Sequence, residues 1–352
     1  MTQLGLDIPV FQAPMAGVSC PELAAAVSNA GGLGSLGLGA MTVVQAREAI
    51  QTTRALTGRP FGINVFCHRE SVPEAETVTR WLTWLRPEFA RFGGEPPSTL
   101  RPLYRSFLGH DEMLDMLVEE RPAFLSFHFG LPSRAAIDRL HEAGILLAVS
   151  VTSPEEAITA TDAAMDVLIV QGYEAGGHRG VFDPLAPDRR LGTHVLLAEV
   201  QRVSSLPLIA AGGIMTGMDV AAVLKAGAVA AQLGTAFVAC DESRASAAWK
   251  AALTEEKGRE TAIVTILSGR PARGVRGRFA ELEARPDCPT PPAYPYAYDA
   301  AKQLAALVAA SGVTEYDAFW SGIHGRAARA LPAGELMARL RQEMAFSLSG
   351  DN

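Results

Sequence analysis

Short, continuous apolar runs alternate along this chain with amphipathic stretches of helical length. Runs without a polar face are what strands buried on both sides of a parallel sheet require. The first is Ile8–Gln12, followed by a helix opened by Pro21 and closed by Gly31 and Gly32. Gly34–Leu38 comes next, then a helix from Thr42 to about Leu56, then the run Phe61–Phe66. From His68 to about His110 the alternation lapses, and the stretch holding Trp81, Trp84, Pro96 and Pro97 reads as irregular. It resumes with strands at Ala123–Phe127, Ile145–Ser150, Val167–Val170, Leu206–Ala210 and Val229–Leu233. Helices are expected between them at Asp111–Glu119, Ser133–Ala143 and Pro154–Thr161.

Eight strand–helix units in series predict an α/β fold closed as a (β/α)8 TIM barrel, rather than an open doubly wound sheet. Beyond Cys240 the character changes to an Arg/Gly loop, SGRPARGVRGRF, and a Pro/Tyr segment, PTPPAYPYAYD. The expected division gives 1–67 and 111–240 to the barrel. It gives 68–110 and 241–301 to a smaller, mainly helical substrate or cover domain, and 302–352 to a helical tail packed back on the barrel.

Composition narrows the function classes. With 352 residues, 48% hydrophobic and 20% charged, the chain can bury the core of a barrel with insertions. A net charge of −7 without any Lys/Arg run argues against nucleic acid or an anionic membrane surface as partner. No apolar stretch reaches the roughly 18 residues of a membrane span. MTQLGLDIPVFQAPM lacks the build of a signal peptide, so the expected location is cytoplasmic. Cys20, Cys67, Cys240 and Cys288 form no C-x-x-C pair, so small buried thiols are expected, with neither disulfides nor a metal site.

Barrel function collects at the carboxyl ends of the strands. Gly212-Gly213 and Gly234-Thr235 end the last two strands, each beside an expected helix start. Unshielded backbone N–H groups there suit a phosphate, although the same glycines also serve tight turns. Asn64 and Gln171 either meet the heteroatoms of a planar ring or bond to backbone. His178 lies in the glycine-dense loop QGYEAGGHRG, where nothing is expected to cover it except a ligand. An imidazole near its ordinary pKa would act there as a base. His128 is a second candidate, and Glu174 and Arg179 could orient His178 or pair with each other. His68, His110, His141, His194 and His324 read as structural or solvated. The arginines 270, 273, 276 and 278 read as solvated loop residues, with attraction of an anion as the alternative.

With these residues assembled, the chain resembles the nitronate monooxygenase family. The likeness rests on QAPMAGVS, GINVF, SFHFGLP, QGYEAGGHRG, AAGGIMTGMDVAAVLKAGAVAAQLGTAF and SGRPARG, which together span nearly the whole chain. It implies FMN as cofactor, contacted by Asn64, Gln171, Gly176, Gly177, Gly212, Gly213, Gln232, Leu233, Gly234 and Thr235 and backed by Pro14 and Met15. It implies His178 as the catalytic histidine, with His128 and a tyrosine (Tyr298 or Tyr104) on the substrate side. The implied reaction takes an alkyl nitronate, such as propionate 3-nitronate, with O2 to a carbonyl compound and nitrite through a flavin semiquinone. Two other readings remain open. One is an FMN-dependent NAD(P)H enoyl-thioester reductase on the same fold, whose members share the EAGGH segment. The other is a non-catalytic barrel that binds a phosphate ligand.

Overall fold

The computed structural model describes residues 4–255, 260–309 and 311–349. In chain order the elements begin with β1 (Val10–Gln12), α1 (Pro21–Asn29), β2 (Ser35–Gly37), α2 (Val43–Leu56), β3 (Gly62–Phe66) and α3 (Ala75–Ala90). They continue with α4 (Asp111–Glu120), β4 (Phe124–His128), α5 (Arg134–Glu142), β5 (Leu146–Val151), α6 (Pro154–Asp162) and β6 (Val167–Gln171). Next come β7 (Gly177–His178), α7 (Thr193–Val200), β8 (Leu208–Ala211), α8 (Gly217–Lys225), β9 (Ala230–Leu233) and α9 (Thr235–Val238). The last are α10 (Ala247–Thr254), β10 (Thr261–Val264), β11 (Ala272–Val275), α11 (Arg278–Glu283), α12 (Tyr296–Ala309) and α13 (Ala333–Ser349).

Eight strands form one parallel sheet in the order β1-β9-β8-β6-β5-β4-β3-β2. It closes on itself just ahead of β2, where Leu33 N donates to Val10 O at 2.9 Å and Gln12 N donates to Leu33 O at 2.9 Å. This is the TIM barrel that the periodicity predicts. Side chains alternate across each strand, so one set fills the barrel and the other meets the helices. Phe11, Phe124, Val167, Ile169 and Ile209 plug the interior, with Phe11 and Phe124 edge to face at 5.4 Å. The outward set joins the helices in the largest apolar cluster.

The region read as irregular is corrected by α3. Trp81, Leu82, Leu85 and Phe89 fall on one buried helical face. Pro87 masked that signal: it sits in the helix's last turn and removes the N–H that would reach the Thr83 carbonyl, yet the helix runs on to Ala90. That face packs into a second apolar cluster with Phe129, Leu267, Phe279, Tyr294, Tyr298 and Leu304. The segments around 68–110 and 260–316 thus share one core over the barrel mouth. This layer also contains a three-stranded sheet, β10-β11-β7, beside its helices. The boundary expected at 302 falls inside α12, which packs on α3, whereas α13 lies against α8 and α1 of the barrel. Among the described residues, no helix is long and apolar enough to cross a membrane.

Candidate active site

The barrel mouth and the second layer enclose a cavity of about 190 Å³. Packed interiors rarely leave voids larger than one water, so a space of this size is a binding chamber. Of the predicted residues, Pro14, Met15, Asn64, Gln171, Gly176 and Gly177 line it. So do Gly212, Gly213, Gln232, Gly234 and Thr235, together with His128, His178 and Tyr298. Leu233 does not. It lies next to the inward Gln232 on β9, so strand alternation turns it out into the helix-facing core, where it is 1% exposed.

One end of the chamber is main chain. Gly212 and Gly213 follow β8 at φ 115° and 72°, a left-handed path that a side chain would strain. A Cβ on Gly234 would meet only Ala13 Cβ at 3.6 Å and Met15 Sδ at 3.9 Å, so that position opens onto the cavity. Gly234 is also the N-cap of the single-turn helix α9. The helix-start argument for Gly212-Gly213 needs correction, because α8 begins four residues later. Its first turn is closed by Thr216 and Asp219, each side chain accepting from the other's backbone N–H. Gly176 has a packing reason as well: a Cβ there would come within 2.5 Å of Gly322 N.

The segment 321–324 completes this end, and no motif or periodicity marks it in advance. Gly322 N donates to Thr235 Oγ1 at 3.0 Å. The ring of His324, read as structural or solvated, borders the cavity and bonds the carbonyl of Gly213 through Nδ1 at 2.8 Å. Trp249 and Trp320 line the cavity too, and only the folded chain brings them there.

The other end is built of side chains around His178. Far from lying in an open loop, His178 forms strand β7, paired antiparallel with Ala272 of β11. Phe129, Tyr294, Trp320 and Tyr298 surround its ring at centroid distances of 5.7, 5.5, 5.2 and 6.2 Å. What remains exposed of the ring faces the chamber. Burial, then the neighbouring His128 and Arg270, push His178 down to about 3, well below the ordinary range expected from the sequence. Burial likewise pushes His128 to about 4. Both imidazoles are therefore neutral near pH 7.

A hydrogen-bond chain assigns the tautomer of His178. The Arg270 carbonyl can only accept, so it takes the Ser268 hydroxyl proton at 3.1 Å. Ser268 Oγ then accepts from His178 Nε2 at 2.8 Å, leaving Nδ1 as the basic nitrogen. Gln171 Nε2 and His128 Nε2 both donate to the His178 carbonyl, at 3.0 and 3.2 Å. The Gln171 oxygen accepts from Gly180 N at 2.8 Å, so this amide is committed to holding β7. Asn64 is different: its nitrogen donates to Ser126 Oγ at 2.9 Å, and its oxygen is left for a cavity ligand.

Of the two readings of Glu174 and Arg179, their pairing with each other is absent among the described residues. Arg179 Nε donates to Asp188 at 2.8 Å, and Glu174 accepts from Thr193 N at 2.9 Å. The solvated reading of the arginine loop also fails for Arg270 and Arg273, which are 3% and 7% exposed. Arg273 is held by the Tyr173 carbonyl at 2.9 Å. Arg278 pairs with Glu88 at 2.7 Å, tying α11 to α3.

A (β/α)8 barrel whose mouth joins a glycine-built end to a half-buried imidazole across one cavity has the build of a barrel enzyme. The chain belongs to the nitronate monooxygenase family, whose sequence model, described as "Nitronate monooxygenase", matches residues 1–343. It is 51% identical over 345 residues to a nitronate monooxygenase of Paraburkholderia phytofirmans, covering 98% of this chain and 94% of the relative. It is 46% identical over 341 residues to one of Pseudomonas aeruginosa, covering 97% of each. A crystal structure of nitroalkane oxidase from Streptomyces ansochromogenes superposes with a TM-score of 0.91 at 41% identity, covering 99% of both chains. FabK of Thermotoga maritima is more distant, with a TM-score of 0.73 at 26% identity, covering 99% of this chain and 96% of that one.

Proposed function

We propose that this enzyme oxidises alkyl nitronates, the anions of nitroalkanes, with FMN and O2, giving a carbonyl compound and nitrite. The observation that carries this reading is His178, its Nε2 held by Ser268 and its ring on a cavity whose far end is bare backbone. The residues present fit FMN. The N–H groups around Gly212, Gly213 and Gly234 suit its phosphate, the free oxygen of Asn64 suits a ring N–H, and Pro14 and Met15 form an apolar backing. When bound, FMN supplies the redox step, receiving electrons from the nitronate and delivering them to O2.

The chain's own residues bind, orient and manage the proton. His178 Nδ1 takes the α-proton when a neutral nitroalkane enters, and a preformed nitronate needs no such step. Ser268 accepts from Nε2 throughout, so the ring cannot turn its basic nitrogen away. His128 and Gln171 fix the backbone that carries the ring. The aromatic wall keeps bulk water from the charged substrate.

Purified enzyme should be yellow, and mixing it anaerobically with propionate 3-nitronate should bleach the flavin, whereas NADH and NADPH should not. Rapid bleaching by a nicotinamide, reoxidation by an enoyl thioester and indifference to nitronates would replace this reading with the reductase. A colourless protein that binds neither FMN nor nitronate would leave only the phosphate-ligand barrel.

A further inference from the structure

Arg270 carries a buried charge that the protein does not neutralise at contact distance. It is 3% exposed, and Nη1 donates to the Val181 carbonyl at 2.9 Å. Among the described residues, no carboxylate comes within 4 Å of its guanidinium, whereas Arg179 and Arg278 nearby each hold one. A buried cation left without a partner is costly, and an aromatic face compensates only part of that cost. The guanidinium lies 4.5 Å above the Phe129 ring and 5.9 Å from that of Tyr294.

Phe129 is itself unusual. It adopts φ 74°, a conformation that a bulky side chain keeps only when its surroundings impose it. In that pose its ring stands between Arg270 and the chamber, 4.5 Å from the His128 ring and 5.7 Å from the His178 ring. The cation is therefore one aromatic ring away from the ligand space, with little water between to screen it.

We propose that Arg270 is the counter-charge of the substrate chamber: a positioning residue that acts through the Phe129 wall to favour an anionic ligand over a neutral one of the same shape. The inference rests on the reading that this chamber receives a nitronate. The groups facing the guanidinium are Glu156, Asp183, Tyr294, His68, His128 and His178. Glu156 and Asp183 lie on the side of the Val181 carbonyl, and the Glu156 carboxylate is committed to Phe182 N at 2.7 Å and Thr152 N at 2.6 Å. The histidines on the chamber side are held neutral, so an arriving anion is the negative charge that side lacks. One unit charge acting across a single ring in a protein interior gives a preference on the order of tenfold.

The test compares FMN-loaded wild type with Arg270→Met and Arg270→Lys, on propyl-1-nitronate and on neutral 1-nitropropane. Inorganic nitrate serves as an inert oxyanion whose binding is read from the flavin absorbance. Arg270→Met should raise the KM for the nitronate and the Kd for nitrate about tenfold, with the KM for 1-nitropropane changing less than twofold. Arg270→Lys, which keeps the charge and alters the shape, should stay within about threefold of wild type on all three. Equal losses on charged and neutral substrates would overturn the proposal, as would a lysine variant that behaves like the methionine one. Should Arg270→Met not fold alone, Glu156→Gln/Arg270→Met removes the guanidinium together with a buried acid facing it, and the same split is expected. Should wild type turn over neither substrate, the nitronate reading fails, while the nitrate titration still decides whether Arg270 selects anions.

Discussion

The two ends of the chamber are built on opposite principles. At the glycine end the lining groups are backbone from two successive barrel loops, Gly212-Gly213 after β8 and Gly234 after β9. At the histidine end they are side chains from six separate stretches: β4, β7, the 268–270 turn, Tyr294, α12 and Trp320. A backbone site depends on local conformation and tolerates little added bulk. A side-chain site depends on the packing of a second layer, and its chemistry can be altered one group at a time.

The largest expected effect is at the histidine end. His178→Asn should lower kcat/KM for a neutral nitroalkane by about 10²–10⁴-fold, the usual contribution of a general base. A preformed nitronate should lose much less. Equal losses on both would make His178 a binding group and erase this side of the contrast. Next is the glycine end, where Gly234→Val fills the opening beside Ala13 and Met15. An overpacking cost of about 1–3 kcal/mol predicts a Kd for FMN weakened roughly five- to 150-fold in a folded protein. Flavin content measured by absorbance against protein checks it, and full occupancy would remove the phosphate from this end.

This contrast also decides what the sequence could show. The barrel was legible because buried parallel strands repeat as apolar runs, and the eight barrel strands, β1 to β6 with β8 and β9, fall within a residue or two of those runs. The glycine end was legible because Gly212, Gly213 and Gly234 sit immediately after strands. Leu233 was misplaced because a motif quoted as a block ignores the alternation of a strand. The covering of His178 was out of reach. Its pairing with β11 joins residues nearly a hundred positions apart, and a two-residue strand leaves no periodic trace. Ser268 and Arg270 stood in a segment whose Arg/Gly composition looks like solvated loop, and only the fold shows that the segment lies between two aromatic layers. His324 follows a stretch with no strand or helix period to anchor it.

A smaller effect separates positioning from base chemistry within the histidine end. Ser268→Ala removes the acceptor of His178 Nε2, a neutral hydrogen bond of about 0.5–1.5 kcal/mol. The kcat for a neutral nitroalkane should fall up to roughly tenfold, while its KM and the nitronate rate stay close to wild type. Ser268→Thr should restore part of the loss. Indifference of both kinetic constants would show that the aromatic wall alone orients the ring.

The remaining effect concerns stability at acid pH, and it sets the two ends apart without any ligand. His68, behind Tyr294 at a ring distance of 5.0 Å, is 1% exposed, and among the described residues neither ring nitrogen has a hydrogen-bond partner. Burial, reinforced by Arg270, pushes it from 6.5 to about 4. Above pH 6.5 the folded and unfolded chains both hold this ring neutral, and it adds no pH dependence. Between 6.5 and about 4 the unfolded chain takes up a proton that the folded chain refuses, so stability falls as the pH falls. The slope is about 1.4 kcal/mol per pH unit for each such histidine. His128 and His178 shift in the same direction, so the acid sensitivity collects under the second layer. His68→Phe keeps an aromatic ring in that space and removes the proton site. Its stability by urea unfolding should match or exceed wild type at pH 7.5, because an unpartnered polar group has been removed. Between pH 6.5 and 4.5 its loss should be shallower than wild type by about one histidine's share. Parallel pH profiles for the two proteins would mean that His68 titrates normally in the folded chain, and that the histidine end is wetter than its packing indicates.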